Sequence, residues 1–185
     1  MIALPNECLF EIFINLSGNY KSLFSCLLVS RRWCRNVVPI LWNELDISKN
    51  KNLLKTCLLL LNDEEQVKLI PFDLILSKNQ NPLFLYTSYT TVIKINSDDG
   101  IINWINQEGH GSRYSTYYSC LNIVQSIKYS LTLMFLRTCK KLKDLSIYGK
   151  SINLLDLILV KNFSLTSLKC PNNELDSEEI NVEIY

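Results

Sequence analysis

The chain has 185 residues, of which 48 % are hydrophobic and 20 % are charged, so it can bury a core and is not a disordered tail. Its 19 basic and 18 acidic residues give a net charge of +1, which excludes a general electrostatic attraction to nucleic acid or to anionic membranes. The N-terminus has no basic start before its apolar stretch, and the longest apolar run, residues 53–61, is too short to span a bilayer. We therefore expect a protein of the cytosol or nucleus that binds neither nucleic acid nor membrane.

Three short helices are predicted at the N-terminus from apolar residues at helical spacing. Their apolar faces comprise Leu9, Ile12, Phe13 and Leu16 in the first helix, Leu23, Phe24, Leu27 and Leu28 in the second, and Val29, Trp33 and Val37 in the third. Gly18 is placed to end the first helix, Ser30 is a suitable N-cap for the third, and Pro39 is expected to stop it. A bundle this small is marginal alone and would gain stability from a partner.

A polar stretch at residues 50–52 is expected to separate this module from the rest, so we divide the chain into residues 1–45 and 46–185. Apolar spacing predicts one helix between Leu53 and Leu61 and a longer one from Leu121 to Met134.

Several shorter segments carry weaker local signals. The periodicity of residues 72–97 is ambiguous, although PFDLILS and TTVIKIN resemble strands in their β-branched content. Residues 98–100 are expected to form a turn and residues 109–119 a loop.

The C-terminal part contains a weak repeat. Leu142, Leu145 and Ile147 follow the spacing LxxLxL, and Leu165, Leu168 and Cys170 repeat it 23 residues later. The second copy continues through Asn173 and Leu175 to give LxxLxCxxNxL. Leucine-rich repeats have periods of about 20–29 residues, and about three are needed for stability, so degenerate copies are expected upstream unless the chain ends early.

The N-terminal segment resembles the F-box family. The landmarks, in order, are Leu4-Pro5, Glu7, Ile12 and Leu16, Leu23 and Leu27, Val29-Ser30-Arg31-Arg32-Trp33, and Leu41-Trp42. The loop at residues 17–20 departs from the Asp-Pro that many members carry there. The resulting fold prediction is α+α/β: an N-terminal three-helix F-box, a helix-rich irregular region, and a short leucine-rich-repeat-like solenoid.

The resemblance implies a function in protein–protein interaction. F-box proteins dock a Skp-type adaptor and, through it, a cullin scaffold, while the remaining domain holds a protein substrate for ubiquitin transfer. The implied adaptor-binding residues are Leu4, Pro5, Ile12, Leu16, Leu27, Val29 and Trp33. Each of them is either a contact or part of the module's own core. The implied protein is a non-catalytic, cofactor-free subunit of an SCF-type ubiquitin ligase, and the alternative is a regulatory protein that holds the adaptor without delivering a substrate.

Other candidate residues have a simple structural interpretation beside a functional one. Arg31, Arg32 and Arg35 form either a phosphate or acidic-partner patch or a solvated helix face, and the neutral overall charge favours the second. Lys140, Lys141 and Lys143 are interpreted in the same way. His110, the single histidine, suits a surface loop better than a catalytic dyad with Cys120. Tyr114, Tyr117 and Tyr118 fit substrate contacts and loop packing equally well. The seven cysteines lack a CxxC pair, so reduced thiols are expected.

Overall fold

In the computed structural model, a group of N-terminal helices leads into helices that pack on a small parallel sheet. The structure describes residues 4–48, 50–74, 84–107, 117–147 and 165–169.

The N-terminal helices are α1 (Asn6–Ile14), α2 (Tyr20–Leu27) and α3 (Arg31–Leu41). The side chain of Asn19 caps α2 by accepting from the amide of Ser22 at 3.1 Å, and Ser30 caps α3 as predicted by accepting from the amide of Trp33 at 3.2 Å. These caps supply acceptors for amides that have no partner inside the helix.

Two of the predicted helix ends are wrong. α1 ends at Ile14, and Gly18 instead takes a left-handed φ of +91° in the turn before α2. α3 continues through Pro39 to Leu41, because the next turn still closes: the amide of Trp42 donates to the carbonyl of Val38 at 3.0 Å. A proline so near the C-terminus removes one hydrogen bond without stopping the helix.

These three helices enclose a small core of their own. Its buried members are Leu9, Phe13, Leu23 and Val37. The partly buried residues packed around them are Leu16, Cys26, Leu27, Trp33, Ile40 and Leu41. Four buried side chains are few for an independent module, which agrees with the thin core expected from the sequence.

The rest of the described chain alternates strands and helices. Its elements are β1 (Glu44–Asp46), α4 (Lys51–Leu58), α5 (Asp63–Gln66), β2 (Val92–Ile95), α6 (Asp99–Gln107), α7 (Tyr117–Thr138), β3 (Asp144–Ile147) and β4 (Ser167–Lys169), with 3₁₀ turns at Val67–Phe72 and Tyr86–Tyr89. No helix within the described ranges is both long and apolar enough to cross a membrane.

The four strands form one parallel sheet in the order β1-β2-β3-β4. Leu45 pairs with Ile93, Ile93 with Leu145, and Leu145 with Leu168. The last pairing has the 23-residue offset of the sequence repeat, so the two predicted copies lie side by side in register. The same hydrogen bonds recur at the start of successive strands. The carbonyls of Asn43, Thr91 and Lys143 each accept hydrogen bonds from two backbone amides at the start of the next strand.

Helices cover one face of this sheet. The inward side chains of β1, β2 and β3 are buried in the same core as Leu54, Ile101 and Ile127 of the helices. The alternate residues, including Glu44, Lys94 and Asp144, are exposed or half-buried. Parallel sheets usually have both faces covered, whereas among the described residues no helix packs on this polar face, which makes it a candidate binding surface.

The predicted helices α4 and α7 and the strand within TTVIKIN are confirmed, whereas β1 and α6 were not predicted. Asp99 and Gly100 open α6 instead of forming only a turn. Residues 117–119 of the predicted loop belong to α7. Residues 75–77 of PFDLILS, residues 109–116, and Cys170, Asn173 and Leu175 of the second repeat lie outside the described residues.

The start of α6 packs closely against the end of β1. The amide of Gly100 donates to the carbonyl of Ser48 at 2.7 Å, and the hydroxyl of Ser97 donates to the same carbonyl at 3.1 Å. The ammonium group of Lys128, a fully buried residue of α7, forms an ion pair with Asp98 in the same connection. The β1 end, α6 and α7 are thus tied together by polar contacts as well as by the core.

The junction between α3 and the sheet is also closely packed. The ring of Trp42 stacks on that of Tyr86, with ring centroids 4.6 Å apart. The backbone carbonyl of Trp42 accepts a hydrogen bond from the hydroxyl of Thr90 at 2.8 Å. One residue later, the carbonyl of Asn43 accepts from the amide of Thr91 at 2.8 Å. The N-terminal helices are therefore joined to the sheet by stacking and hydrogen bonds in addition to the chain itself.

Candidate protein-docking surface

Large apolar side chains are exposed on α1, on α2 and in the segments that flank them. We call this set the docking face; it comprises Leu4 (52 % exposed), Phe10 (36 %), Ile12 (48 %), Ile14 (39 %), Tyr20 (61 %), Phe24 (60 %), Leu28 (76 %) and Val29 (60 %). Single exposed apolar residues are ordinary, but eight within 26 positions of so small a module exceed what its own core can bury. A surplus of exposed apolar side chains is typical of an interaction site, and here it spans two sides of α1, because Ile12 lies about 200° around the helix from Phe10.

The N-terminal end of this face is held in place by an arginine of α3. The guanidinium group of Arg32 donates to the side-chain oxygen of Asn6 at 2.8 Å and also to the carbonyl of Leu4. These bonds tie the segment before α1 to α3, so Leu4 is presented from a fixed backbone although its side chain is half-exposed.

A second candidate surface is the open face of the sheet. It contains a cleft of about 470 Å³ lined by Glu44, Val92, Ile93, Lys94, Asn96, Asp144, Leu145, Ser146, Ser167 and Lys169. Within it, Lys94 pairs with Glu44, and this hydrogen-bonded pairing raises the pKa of the lysine. The hydroxyl of Ser146 donates to the side chain of Asn96 at 2.9 Å. The surface therefore offers both charge signs and neutral polar groups.

The comparison with known families addresses the first of these surfaces. Residues 1–48 match the family model described as F-box-like. The N-terminal helices form an F-box-like domain. The match confirms the resemblance drawn from the sequence, over α1, α2, α3 and β1. Searches of curated proteins and of solved structures find no match to this chain.

F-box domains are typically non-catalytic adaptor modules, and their presence suggests binding to a Skp-type protein. The seven residues predicted to bind the adaptor divide into two groups in the F-box-like domain. Leu4, Pro5, Ile12 and Val29 are exposed, whereas Leu16, Leu27 and Trp33 are partly buried against the core. Direct contact with an adaptor stays a prediction for all seven.

Trp33 in particular packs inside the F-box-like domain. Its ring meets that of Phe13 edge-on, with centroids 5.0 Å apart and an interplanar angle of 65°. Such aromatic pairs contribute about 0.5–1.5 kcal/mol beyond their buried area. Trp33 therefore supports the shape of the domain in the free protein, and loss of its ring would affect stability as well as any contact.

Phe24 and Leu28 are exposed members of the docking face, although apolar spacing predicts them in the same stripe of α2 as Leu23. Leu23 is 1 % exposed, whereas Phe24 is 60 % exposed and Leu28 76 %. Consecutive residues lie about 100° apart around a helix, so Phe24 is turned by that angle from the buried Leu23. That angular separation was the available signal, and it points Phe24 away from the core.

Among the described residues, the candidate chemical centres are metal-ligating groups and the two buried thiols. None of the described His, Cys, Asp and Glu side chains form groups of three or more that could hold a metal ion. Burial raises the pKa of the Cys139 thiol to about 12, and burial together with Cys139 raises that of Cys57 further, so neither thiol is poised as a nucleophile. His110 and Tyr114 lie outside the described residues, as do the side chains of Tyr117 and Tyr118.

Proposed function

We propose that this protein is a substrate-recognition subunit of an SCF-type ubiquitin ligase. Its F-box-like domain binds a Skp-type adaptor and thereby a cullin scaffold, and the region after it holds a protein to be ubiquitinated. The subunit performs no chemistry itself; it brings two proteins together. Consistent with this role, we place it in the cytosol or nucleus.

One observation carries the proposal: the segment that matches the F-box-like model is the one that exposes the docking face. Its core of four buried residues leaves Phe24, Leu28 and Val29 at least 60 % exposed. Removing apolar surface from water contributes about 25 cal/mol of favourable free energy per Å². A partner that covers these side chains would therefore stabilise the complex. Helical modules bind their partners through a few large side chains that become buried at the centre of the interface.

The open sheet face is the proposed substrate surface. Four parallel strands in chain order, with a shared register and the same entry hydrogen bonds, resemble the strand ladder of a leucine-rich-repeat solenoid. In this interpretation β1 and β2 are degenerate upstream copies, and the spacings from Leu45 to Ile93 and from Ile93 to Leu145 are about twice the usual repeat period. Mixed charges and amides at Lys94, Asn96 and Asp144 suit recognition of a polar protein surface.

The adaptor contact is tested with exposed residues, because Trp33 is part of the core. The variant Ile12→Ala/Phe24→Ala/Leu28→Ala is expected to bind a purified Skp-type adaptor at least ~100-fold more weakly, since hot-spot truncations cost about 2 kcal/mol or more each. Binding is measured by isothermal titration calorimetry, and circular dichroism establishes that the variant remains folded.

A matched control removes equally exposed apolar groups elsewhere. Val67, Ile70 and Leu85 are 54 %, 63 % and 54 % exposed and lie outside the F-box-like domain. Their triple alanine variant is expected to bind the adaptor as the wild type does. Equal loss in both variants, or retained binding in the first, would contradict the proposed docking face.

Substrate delivery is tested separately from adaptor binding. The complex with adaptor, cullin, RING subunit and ubiquitin-charged E2 is expected to transfer ubiquitin to a protein bound at the sheet face. The variant Lys94→Glu/Asp144→Lys is expected to lose binding of that protein while its binding to the adaptor is unchanged. Adaptor binding without transfer to any captured protein would instead favour a regulatory protein that holds the adaptor alone.

A further inference from the structure

A cleft of about 440 Å³ lies between the N-terminal ends of α1 and α3. It is lined by Asn6, Arg31, Arg32, Arg35 and Asn36. Three arginines therefore line one cavity, and none of its lining residues is acidic. Guanidinium groups are donors only, in a planar arrangement that matches the two oxygens of a carboxylate.

The positive charge of this cleft is not neutralised by the described parts of the chain. Arg32 bonds to two uncharged oxygens, those of Asn6 and Leu4. Arg31 and Arg35 have neither an ion pair nor a side-chain hydrogen bond with any described residue. Elsewhere, by contrast, Lys94 is paired with a carboxylate. The cleft thus holds available cations in a chain whose net charge is only +1.

The position of these arginines works against the stability of their own helix. Arg31 and Arg32 are the first two residues of α3, and its first turn contains no acidic residue. The amino end of a helix carries about half a positive charge, so anions stabilise it and cations there destabilise it. A local rule broken without compensation within the protein is typical of a functional site. Here the helix end and the arginines combine to attract an anion.

We propose that this cleft binds an acidic segment, rich in Asp and Glu, of the protein that occupies the docking face. The inference rests on the proposed function and deepens it. The cleft adjoins the docking face, because Arg32 bridges it to the carbonyl of Leu4, so one partner can cover both. Charges at the rim of an apolar contact mainly raise the association rate and make it dependent on salt.

The kinetic experiment uses the full chain and a purified Skp-type adaptor in stopped flow at low and high salt. Arg31→Glu/Arg35→Glu is expected to lower the association rate constant at least ~10-fold at 50 mM salt and to remove most of its salt dependence. Arg32 is left intact because it holds Leu4. The control Lys140→Glu/Lys141→Glu changes the net charge equally on the exposed turn after α7, and its rate should stay within about twofold of wild type. Equal rates for wild type and the arginine variant would overturn the acidic-segment site while leaving the docking face intact.

A second experiment does not depend on the adaptor. Hexaglutamate is titrated into the ¹⁵N-labelled full chain, and the side-chain amide signals of Asn6 and Asn36, which line the cleft, are followed. The signals should shift saturably, and the shift should be absent in the charge-reversed variant. No shift, or a shift at lower concentration with inorganic phosphate than with hexaglutamate, would overturn the assignment to a carboxylate-rich segment even if the adaptor fails to bind.

Discussion

Replacement of Gly100 by alanine is the sharpest test of how the sheet and its helices fit together. A Cβ atom at this position would lie 2.5 Å from the carbonyl oxygen of Ile47 and 3.1 Å from that of Ser48. Both neighbours are backbone atoms at the end of β1, so no side chain can rotate to make room. The new methyl group must push α6 and β1 apart.

The expected cost follows from three opposing terms. Forcing an extra methyl group into a packed site costs about 1–3 kcal/mol. The displacement also weakens the 2.7 Å hydrogen bond from the amide of Gly100 to Ser48, which is worth about 1 kcal/mol. Alanine gains back about 0.5–1 kcal/mol of helix propensity and chain entropy. The net expectation is a loss of about 2 kcal/mol, or about 4–8 °C in Tm for a chain of this size.

Thermal unfolding of the full chain, followed by circular dichroism, measures this loss. Asn103→Ala is the control: Asn103 is exposed on the same helix, so only the propensity gain applies and Tm should stay equal or rise slightly. A Gly100→Ala protein as stable as wild type, or more stable, would refute the close approach of α6 to β1.

Two further predictions concern buried polar groups. Arg137 donates to both carboxylate oxygens of Glu65, at 2.7 and 2.9 Å, and Glu65 is 4 % exposed. Arg137→Met should therefore lower the free energy of unfolding in urea by about 2 kcal/mol, whereas Lys141→Met on the surface should not. The raised pKa values of Cys57 and Cys139 keep both thiols protonated in the folded state while the unfolded thiols ionise near pH 9, so stability should fall as pH rises above about 9. Urea titrations at pH 8 and 10 should show a smaller fall in Cys57→Ala/Cys139→Ala, and equal falls would contradict the burial of these thiols.

The sequence predicted the elements whose signals are local and repeated. α7 was visible because Val124, Ile127, Leu131 and Met134 recur at helical spacing, and all four are buried. The F-box-like segment was visible because several unlike landmarks occur in a fixed order, and the family match confirms it. The pairing of β3 with β4 was visible as the 23-residue repeat.

The parts that were missed depend on contacts between distant residues. β1 has only three residues, and nothing in the sequence Glu44–Asp46 distinguishes a strand until Val92–Lys94 pairs with it. Likewise, α6 begins at a sequence typical of a turn, and its glycine is needed for packing against Ile47. Short elements take their conformation from tertiary contacts more than from propensity.

The candidate docking site was predicted only in part, because it too depends on contacts between residues that are distant in the sequence. Sequence patterns identify which side chains are apolar. Which of these side chains remain exposed becomes known only when the structure shows which ones the core buries. Phe24 and Leu28 are exposed, whereas Leu23 is the residue of α2 that is buried in the core. The three arginines were visible as a cluster in the sequence, but the cleft that they line appears only when Asn6 of α1 is placed beside Arg32 of α3.

The junction at Trp42 and Asn43 has a consequence for geometry at long range. Trp42 stacks on Tyr86, and the carbonyls of Trp42 and Asn43 accept hydrogen bonds from Thr90 and Thr91. These contacts fix the last turn of α3 relative to the first strand. A flexible tether would let two bound molecules sample a wide span of separations. Under the proposed function, an adaptor bound to the amino-terminal helices and a substrate bound to the strands would therefore be held at one spacing and in one mutual orientation.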